Sequence, residues 1–315
     1  MEEVFENYDP STKTFVVNTN LIVNIEDIFY RRILPITPYV VVKKRRGRKK
    51  KIQEEDPNKG LKCGSIIQFQ YRKEFQGVIL KNKGSKGKKK GFFRNSVTIV
   101  IFIEDKLINF KLSNNGKFQV TGCKHDFQAE QCVLYIWKYI KDHTDLYEFT
   151  EGTNLRAIYD PVMHNIDFSV GFNINRENLD NYINSYTPYT SLLEPTLGYT
   201  GVNIKLPVDV SYSKLKLKVK NYNNSGSITT TSFITFADYL AKYKKKDLKK
   251  IIYNTFLVFQ SGKVIMSGKV GLFMGPAYYN FVTVLKDCDK YIREELVVEK
   301  DEYTEHIRRK KILIN

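Results

Sequence analysis

The residues able to do chemistry in this chain are few and scattered. Its four histidines, His125, His143, His164 and His306, lack the spacing that would set two imidazoles on one metal ion. No serine or cysteine lies in a nucleophile motif. Acidic neighbours such as Glu54 with Glu55, or Glu294 with Glu295, point apart on a helix or strand and read as solvated charges. Cys63, Cys123, Cys132 and Cys288 have neither C-x-x-C spacing nor the density of a disulfide framework, so reduced thiols are expected. These patterns point away from an enzyme, and no cofactor or metal is called for.

What remains is positive charge. Fifty-one Lys and Arg against 34 Asp and Glu give a formal charge of +17, which favours a polyanionic partner, nucleic acid first. Much of it is concentrated in KKRRGRKKK (43–51), KNKGSKGKKKG (81–91) and AKYKKKDLKK (241–250). Such runs serve phosphate contact or solubility, and the first also fits nuclear targeting. The second is not a phosphate-binding P-loop, because no G-K-[S/T] closes it.

The elements that must position these charges are mostly strands. Apolar residues alternate over 14–23, 65–71, 97–103, 106–113 and 117–121, and again over 166–174, 202–206, 254–260 and 263–267. Helical periodicity is clearest over 126–141 and 276–296, the second opening on Gly275-Pro276. No stretch has the roughly 20 apolar residues of a membrane span, and MEEVFENYDP is acidic where a secretion signal would be basic.

A repeat lies within this order. SNNGKFQVTGCK (113–124) and FQSGKVIMSGKV (259–270) share G-K-x-x-x-[T/S]-G at an offset of 262 − 116 = 146, each between an apolar strand and a long helix. Matching flanks favour duplication over chance. The expected plan is an acidic tail (1–10), a first repeat (11–150) with Lys-rich insertions at 43–60 and 81–91, a second repeat (155–296) with an insertion at 207–250, and a charged tail (297–315), the charged stretch from Asp289 to Asn315 being read as a helix extension.

Within that plan, EPTLGYTGVNIKL (194–206), NTFLVFQSGKVIMSGK (254–269) and LSNNGKFQVTGCK (112–124) resemble the repeat of the TATA-box-binding protein family. GFFRNSVTIVIFIEDKLINFKL (91–112) is closer to the divergent TATA-binding-like proteins of nucleocytoplasmic large DNA viruses. The resemblance spans most of 11–296 and is firm only in those segments. It implies an α+β saddle, two pseudo-symmetric repeats sharing a curved antiparallel sheet, with helices on the convex face and duplex in the concave one. That protein is itself the standard example of a wedge-inserting, minor-groove binder.

The resemblance also implies roles for single residues. It sets Lys263, Ile265 and Ser267 on DNA, with Lys263 near a phosphate and Ser267 where a Thr reaches a base edge. Phe259 falls at a kinking Phe and shares a face with Leu257; Tyr199 aligns with the other wedge, ordinary core being the alternative for both aromatics. Asn165 aligns with an Asn at the centre of the site, where an amide suits the acceptors shared by A·T and T·A pairs. Asp167, on the same strand face, breaks the pattern, because a carboxylate cannot bond those acceptors. In the first half Lys117, Gln119 and Thr121 face the groove, Lys124 is counted with them, Thr14 replaces the central Asn, and Phe93 is a candidate wedge. Its partner is missing, since alternation sends Ile108, Phe110 and Leu112 inward and leaves Asn109, Lys111 and Ser113 outside.

The function implied is recognition and bending of AT-rich promoter DNA by a monomer that recruits a IIB-like factor and a multisubunit RNA polymerase. The expected setting is a nucleus or a viral factory in the host cytoplasm, with packaging in the virion as a further option. The alternative is a protein-interaction scaffold that keeps the fold without specific DNA binding; steep salt dependence of duplex binding separates the two.

Overall fold

Side chains alternate across a strand, so strands whose apolar residues recur every second position can build a sheet with one packed and one open face. The computed structural model describes residues 4–40, 58–80, 93–193, 201–208, 215–244, 252–269 and 271–294. Its first half runs β1 (Thr12–Thr19), β2 (Leu21–Val23), α1 (Ile25–Tyr30), β3 (Ile66–Tyr71), β4 (Glu74–Gly77), β5 (Ser96–Ile103), β6 (Lys106–Ser113), β7 (Lys117–Cys123) and α2 (Asp126–Ile140). After β8 (Tyr147–Phe149) come β9 (Leu155–Ser169), α3 (Arg176–Tyr186), β10 (Thr190–Leu193), β11 (Gly201–Val208), β12 (Lys216–Tyr222), β13 (Ile228–Thr235) and α4 (Phe236–Tyr239). The chain closes with β14 (Ile252–Phe259), β15 (Lys263–Gly268), α5 (Gly271–Asp287) and α6 (Asp289–Ile292).

One antiparallel sheet joins the halves in the order β10-β11-β14-β15-β9-β1-β7-β6-β5-β3-β4. Outward from the central β9–β1 pair, both sides read first strand, last strand, penultimate strand. The contacts recur as well. Thr19 N–H donates to Gly116 O and Val170 N–H to Gly262 O; Val23 N–H donates to Asn114 O and Ile174 N–H to Gln260 O. Asn24 and Asn175 cap α1 and α3 through their side chains, and their own N–H groups reach Leu146 O and Ile292 O. Gly116 and Gly262, at φ +65° and +73°, each lie where a Cβ would strike a backbone carbonyl, that of Leu21 or of Phe172. Thr14 pairs with Thr121 as Asn165 pairs with Ser267. In this register Lys13 is the counterpart of His164, and the two face each other across the central pair, so the pseudo-dyad passes between them.

The long helices cover one face, and the short α4 meets the other beside β9. α2 packs Ala129, Cys132, Val133, Ile136 and Trp137 on Phe15, Val17, Phe110, Phe118 and Val120, while α5 packs Met274, Tyr278, Phe281 and Leu285 on Ile166, Phe168, Phe256 and Met266. Phe281, fully buried and stacked on Phe256 at 4.1 Å, alone contributes roughly 1.5–3 kcal/mol. This is the expected α+β arrangement, two matched halves on one sheet with the long helices on one side.

Four sequence expectations change, the first being the strand expected over 14–23, which divides into β1 and β2 in separate sheets. The strand expected over 166–174 is β9, which begins at Leu155 and ends at Ser169, while Ile174 precedes the cap of α3. The helix expected to open at Pro276 starts at Gly271, with Pro276 inside it. The missing N–H of proline is offset there by burial of Met274, Ala277 and Tyr278. The chain turns extended at Arg293 after the short α6, so α5 does not continue unbroken into the tail. Between Leu215 and Lys244 the insertion folds: β12 pairs with the first residues of β9 and with β13, and α4 follows. Tyr199, the runs 43–51 and 81–91, residues 245–250 of the third run and the 297–315 tail lie outside the described residues.

Candidate nucleic-acid interface

The face opposite the helices is built by the alternate residues of the same strands. At its centre Thr12 lies across from Asn165, and Thr14 across from Met163. The Asn165 amide is oriented by two bonds, its Oδ1 accepting from Ser267 Oγ at 2.9 Å and its Nδ2 donating to Thr12 Oγ1 at 3.2 Å. A primary amide has two N–H groups, so one remains for an acceptor brought to this face.

In the second half one row across the sheet reads Leu192, Asn203, Leu257, Ile265, Asp167, and the next reads Lys205, Thr255, Ser267, Asn165. Phe259 and Lys263 close the outer end, where a cleft is lined by Phe259, Lys263, Ile265, Asp167, Ser169 and Arg176. Leu257, Phe259 and Ile265 are half-buried, with Phe256, Val258, Val264 and Met266 behind them in the core. Lys263 and Asp167 are exposed.

The matching rows of the first half are polar. They read Gln70, Thr98, Lys111, Gln119, Val16 and then Asn109, Thr121, Thr14, with Ser96, Ser113 and Lys117 at the outer end. Ile108, Phe110 and Leu112 are buried in the core and Asn109, Lys111 and Ser113 face outward. Lys111 therefore holds the position of Leu257, and Ser113 that of Phe259. Phe93 supplies an aromatic from outside the strands: it is 66% exposed, with the Lys111 ammonium 3.7 Å from its ring centroid. Such a contact is worth about 0.5–1 kcal/mol at an exposed site and favours the ring's position over this face. Lys124 is placed otherwise, past the end of β7, where its N–H donates to Gln128 Oε1 in the turn into α2.

The charges on these rows are Lys111, Lys117, Lys205 and Lys263 against the single exposed carboxylate of Asp167. Asp160 is fully buried and meets Lys269 Nζ at 3.0 Å. Lys205, Asn203, Thr98 and Thr12 were not singled out from the sequence, although the alternation of VNIKL (202–206) carried the signal for the first two.

Two segments lie over parts of this face. Ile158 forms a small apolar cluster with Leu217, Val219, Phe236, Tyr239 and Leu240, and the Asn18 amide donates to the Tyr239 hydroxyl, so the insertion walls one flank beside β1. At the far edge Leu80 N–H donates to Gln68 Oε1 at 3.1 Å, and Val100 and Phe102 are buried outside the helix-side core. Among the described residues, the face is covered beside β1 and at the far edge, and is open at the centre, over β6 and β7, and across the second half.

Among the described residues no three His, Cys, Asp or Glu side chains converge on a metal position, and no helix is long and apolar enough to cross a membrane. Burial pushes the Cys123 and Cys288 thiols up to about 12 and that of Cys132 well above its ordinary value. None of these three is a reactive nucleophile.

No family model matches the chain. It is similar to "Uncharacterized protein 335L" of Invertebrate iridescent virus 6, 26% identical over 226 residues, which cover 67% of this chain and 66% of that protein. The chain thus spans just under two thirds of that relative. Among solved structures it aligns with Methanococcus jannaschii TBP at 13% identity and a TM-score of 0.43, covering 89% of this chain and 98% of the other.

Proposed function

We propose that this protein lays the open face of its sheet along the minor groove of AT-rich double-stranded DNA, bends it, and marks promoters in the manner of a TATA-box-binding protein. The observation that carries the reading is the face opposite the long helices, open around the pseudo-dyad. There a pre-oriented Asn165 amide sits at the centre, and Lys117 and Lys263 stand at corresponding outer positions in the two halves. An amide N–H suits the acceptors that A·T and T·A pairs both present in the minor groove, and one lysine at either end suits the phosphate backbones.

Leu257, Phe259 and Ile265 make the second half the wedge side, while Lys111, Gln119 and Ser113 make the first half a polar grip with Phe93 at its end. Bending is thus concentrated at the second-half end. A role in recruiting a IIB-like factor and a multisubunit RNA polymerase, in a nucleus or a viral factory, belongs to the same proposal. The likeness to an iridescent-virus protein supports a viral setting.

The test is fluorescence-detected binding and bending of AT-rich and GC-rich duplexes as a function of salt. Tight binding to the AT-rich duplex, with a salt slope of about −0.9 per phosphate neutralised and losses in Asn165→Ala and Phe259→Ala, is expected. Equal, salt-insensitive binding to both duplexes would reject it. A second reading, a protein-binding scaffold without specific DNA binding, is favoured by the flank that the insertion covers at Ile158 and Asn18, and it predicts no steeply salt-dependent, AT-selective duplex binding.

A further inference from the structure

Asp167 stands where a carboxylate is hardest to explain. The twin registers, Thr14 with Thr121 and Asn165 with Ser267, fix which face each residue of β9 occupies, so Asp167 belongs to the open face beside Asn165 and opposite Ile265. It is exposed, lines the cleft next to Phe259 and Lys263, and has no ion-pair or hydrogen-bond partner among the described residues. Its counterpart in the first half is Val16, which pairs with Gln119 as Asp167 pairs with Ile265. The charge is therefore confined to one half.

An ionised carboxylate only accepts hydrogen bonds. A·T and T·A pairs offer the minor groove nothing but acceptors, and the one donor any base pair places there is the 2-amino group of guanine. We infer that Asp167 reads a guanine amino group, so that the target has a G·C pair next to the centre, on the second-half side, of an otherwise A·T-rich site. This rests on the DNA-binding reading above and adds a composition and a polarity to it. Because Val16 cannot make the same contact, the G·C pair sets which half of the protein lies on which end of the site.

The experiment steps a single G·C pair through an AT-rich duplex, then replaces that guanine by inosine, which lacks only the 2-amino group, and measures binding by fluorescence anisotropy at fixed salt. Unaltered protein is expected to bind one stepped duplex best, and to lose roughly tenfold on the inosine substitution, as for loss of one charge-assisted base contact. Asp167→Val is expected to bind the guanine and inosine duplexes equally. The inference is overturned if unaltered protein prefers the all-A·T duplex and is indifferent to inosine at every step. Binding to no duplex at all would overturn the DNA-binding reading itself. The inosine comparison needs no substitution in the protein, so it decides the question even if the variant misfolds.

Discussion

Replacing Gly262 by alanine tests the duplicated turn from which the open face is laid out. Gly262 has φ +73°, and a Cβ there would lie 2.1 Å from the Phe172 carbonyl oxygen and 3.1 Å from Val170 Cγ2. Two costs add. An L-residue in this conformation loses about 1–2 kcal/mol, and displacing a backbone carbonyl that no rotamer change can move adds roughly 1–3 kcal/mol. Gly122, at φ +83° with nothing within 4 Å of its Cβ position, carries the first cost alone. Gly262→Ala should therefore destabilise by about 3 kcal/mol against about 1 for Gly122→Ala. In a chain of this size that is a fall in Tm of about 4–5 °C against about 1.5 °C. Gly116→Ala, whose Cβ would meet the Leu21 carbonyl at 2.2 Å, should match Gly262→Ala. Urea unfolding followed by circular dichroism measures all three. Equal losses at Gly262 and Gly122 would refute the close approach, and unequal losses at Gly262 and Gly116 would refute the equivalence of the two turns.

His164, half-buried beside Lys13 with its Nε2 enclosed and unbonded, has its pKa held below 6.5, first by burial and then by the Lys13 charge, partly opposed by Asp126. The unfolded chain takes up a proton that the folded one resists, so stability is full above about pH 6.5 and falls as the pH drops through that value. His164→Leu should flatten this slope in denaturation curves taken at about pH 7.5 and pH 5.5, either side of the ordinary histidine pKa; an unchanged slope would assign it to other groups. Of the four thiols only Cys63 is exposed, so native protein should label once with iodoacetamide by mass spectrometry, and rapid labelling of Cys123, Cys132 or Cys288 would contradict their burial. Lys263→Ala should reduce the salt slope of duplex binding by about 0.9 and weaken all sequences alike, whereas a change in sequence preference would place Lys263 on a base.

Much of this arrangement was legible because alternation is a local signal. Lys117, Gln119 and Thr121 face away from Phe118 and Val120, and Lys263, Ile265 and Ser267 away from Val264 and Met266, as two-residue periodicity requires. The start of β9 was illegible for the converse reason. Ile158 is buried on the open face by Leu217 and Val219, while Ala157 and Tyr159 are buried on the helix face, so the alternation is erased. That burial is supplied by a distant segment, β12, through pairing that no local pattern announces. The short helices α1 and α3 did leave a trace in the shared N-x-E that opens NIED (24–27) and NREN (175–178), where each Asn caps the helix three residues on. Asp167 was visible as an anomaly on the face of Asn165, and the paired registers bear out that placement.

The central claim, that the open face and not the helical one lies along a duplex, is tested most directly by tethered cleavage. Single cysteines at Gln119, Ile265 and, as a control on α2, Lys138, in a background with Cys63 replaced by serine, would each bear an iron–EDTA reagent on AT-rich duplex. Strand scission from positions 119 and 265 near opposite ends of one site, with none from 138, is the predicted result. Scission from 138 alone, or the same diffuse pattern from all three, would contradict it.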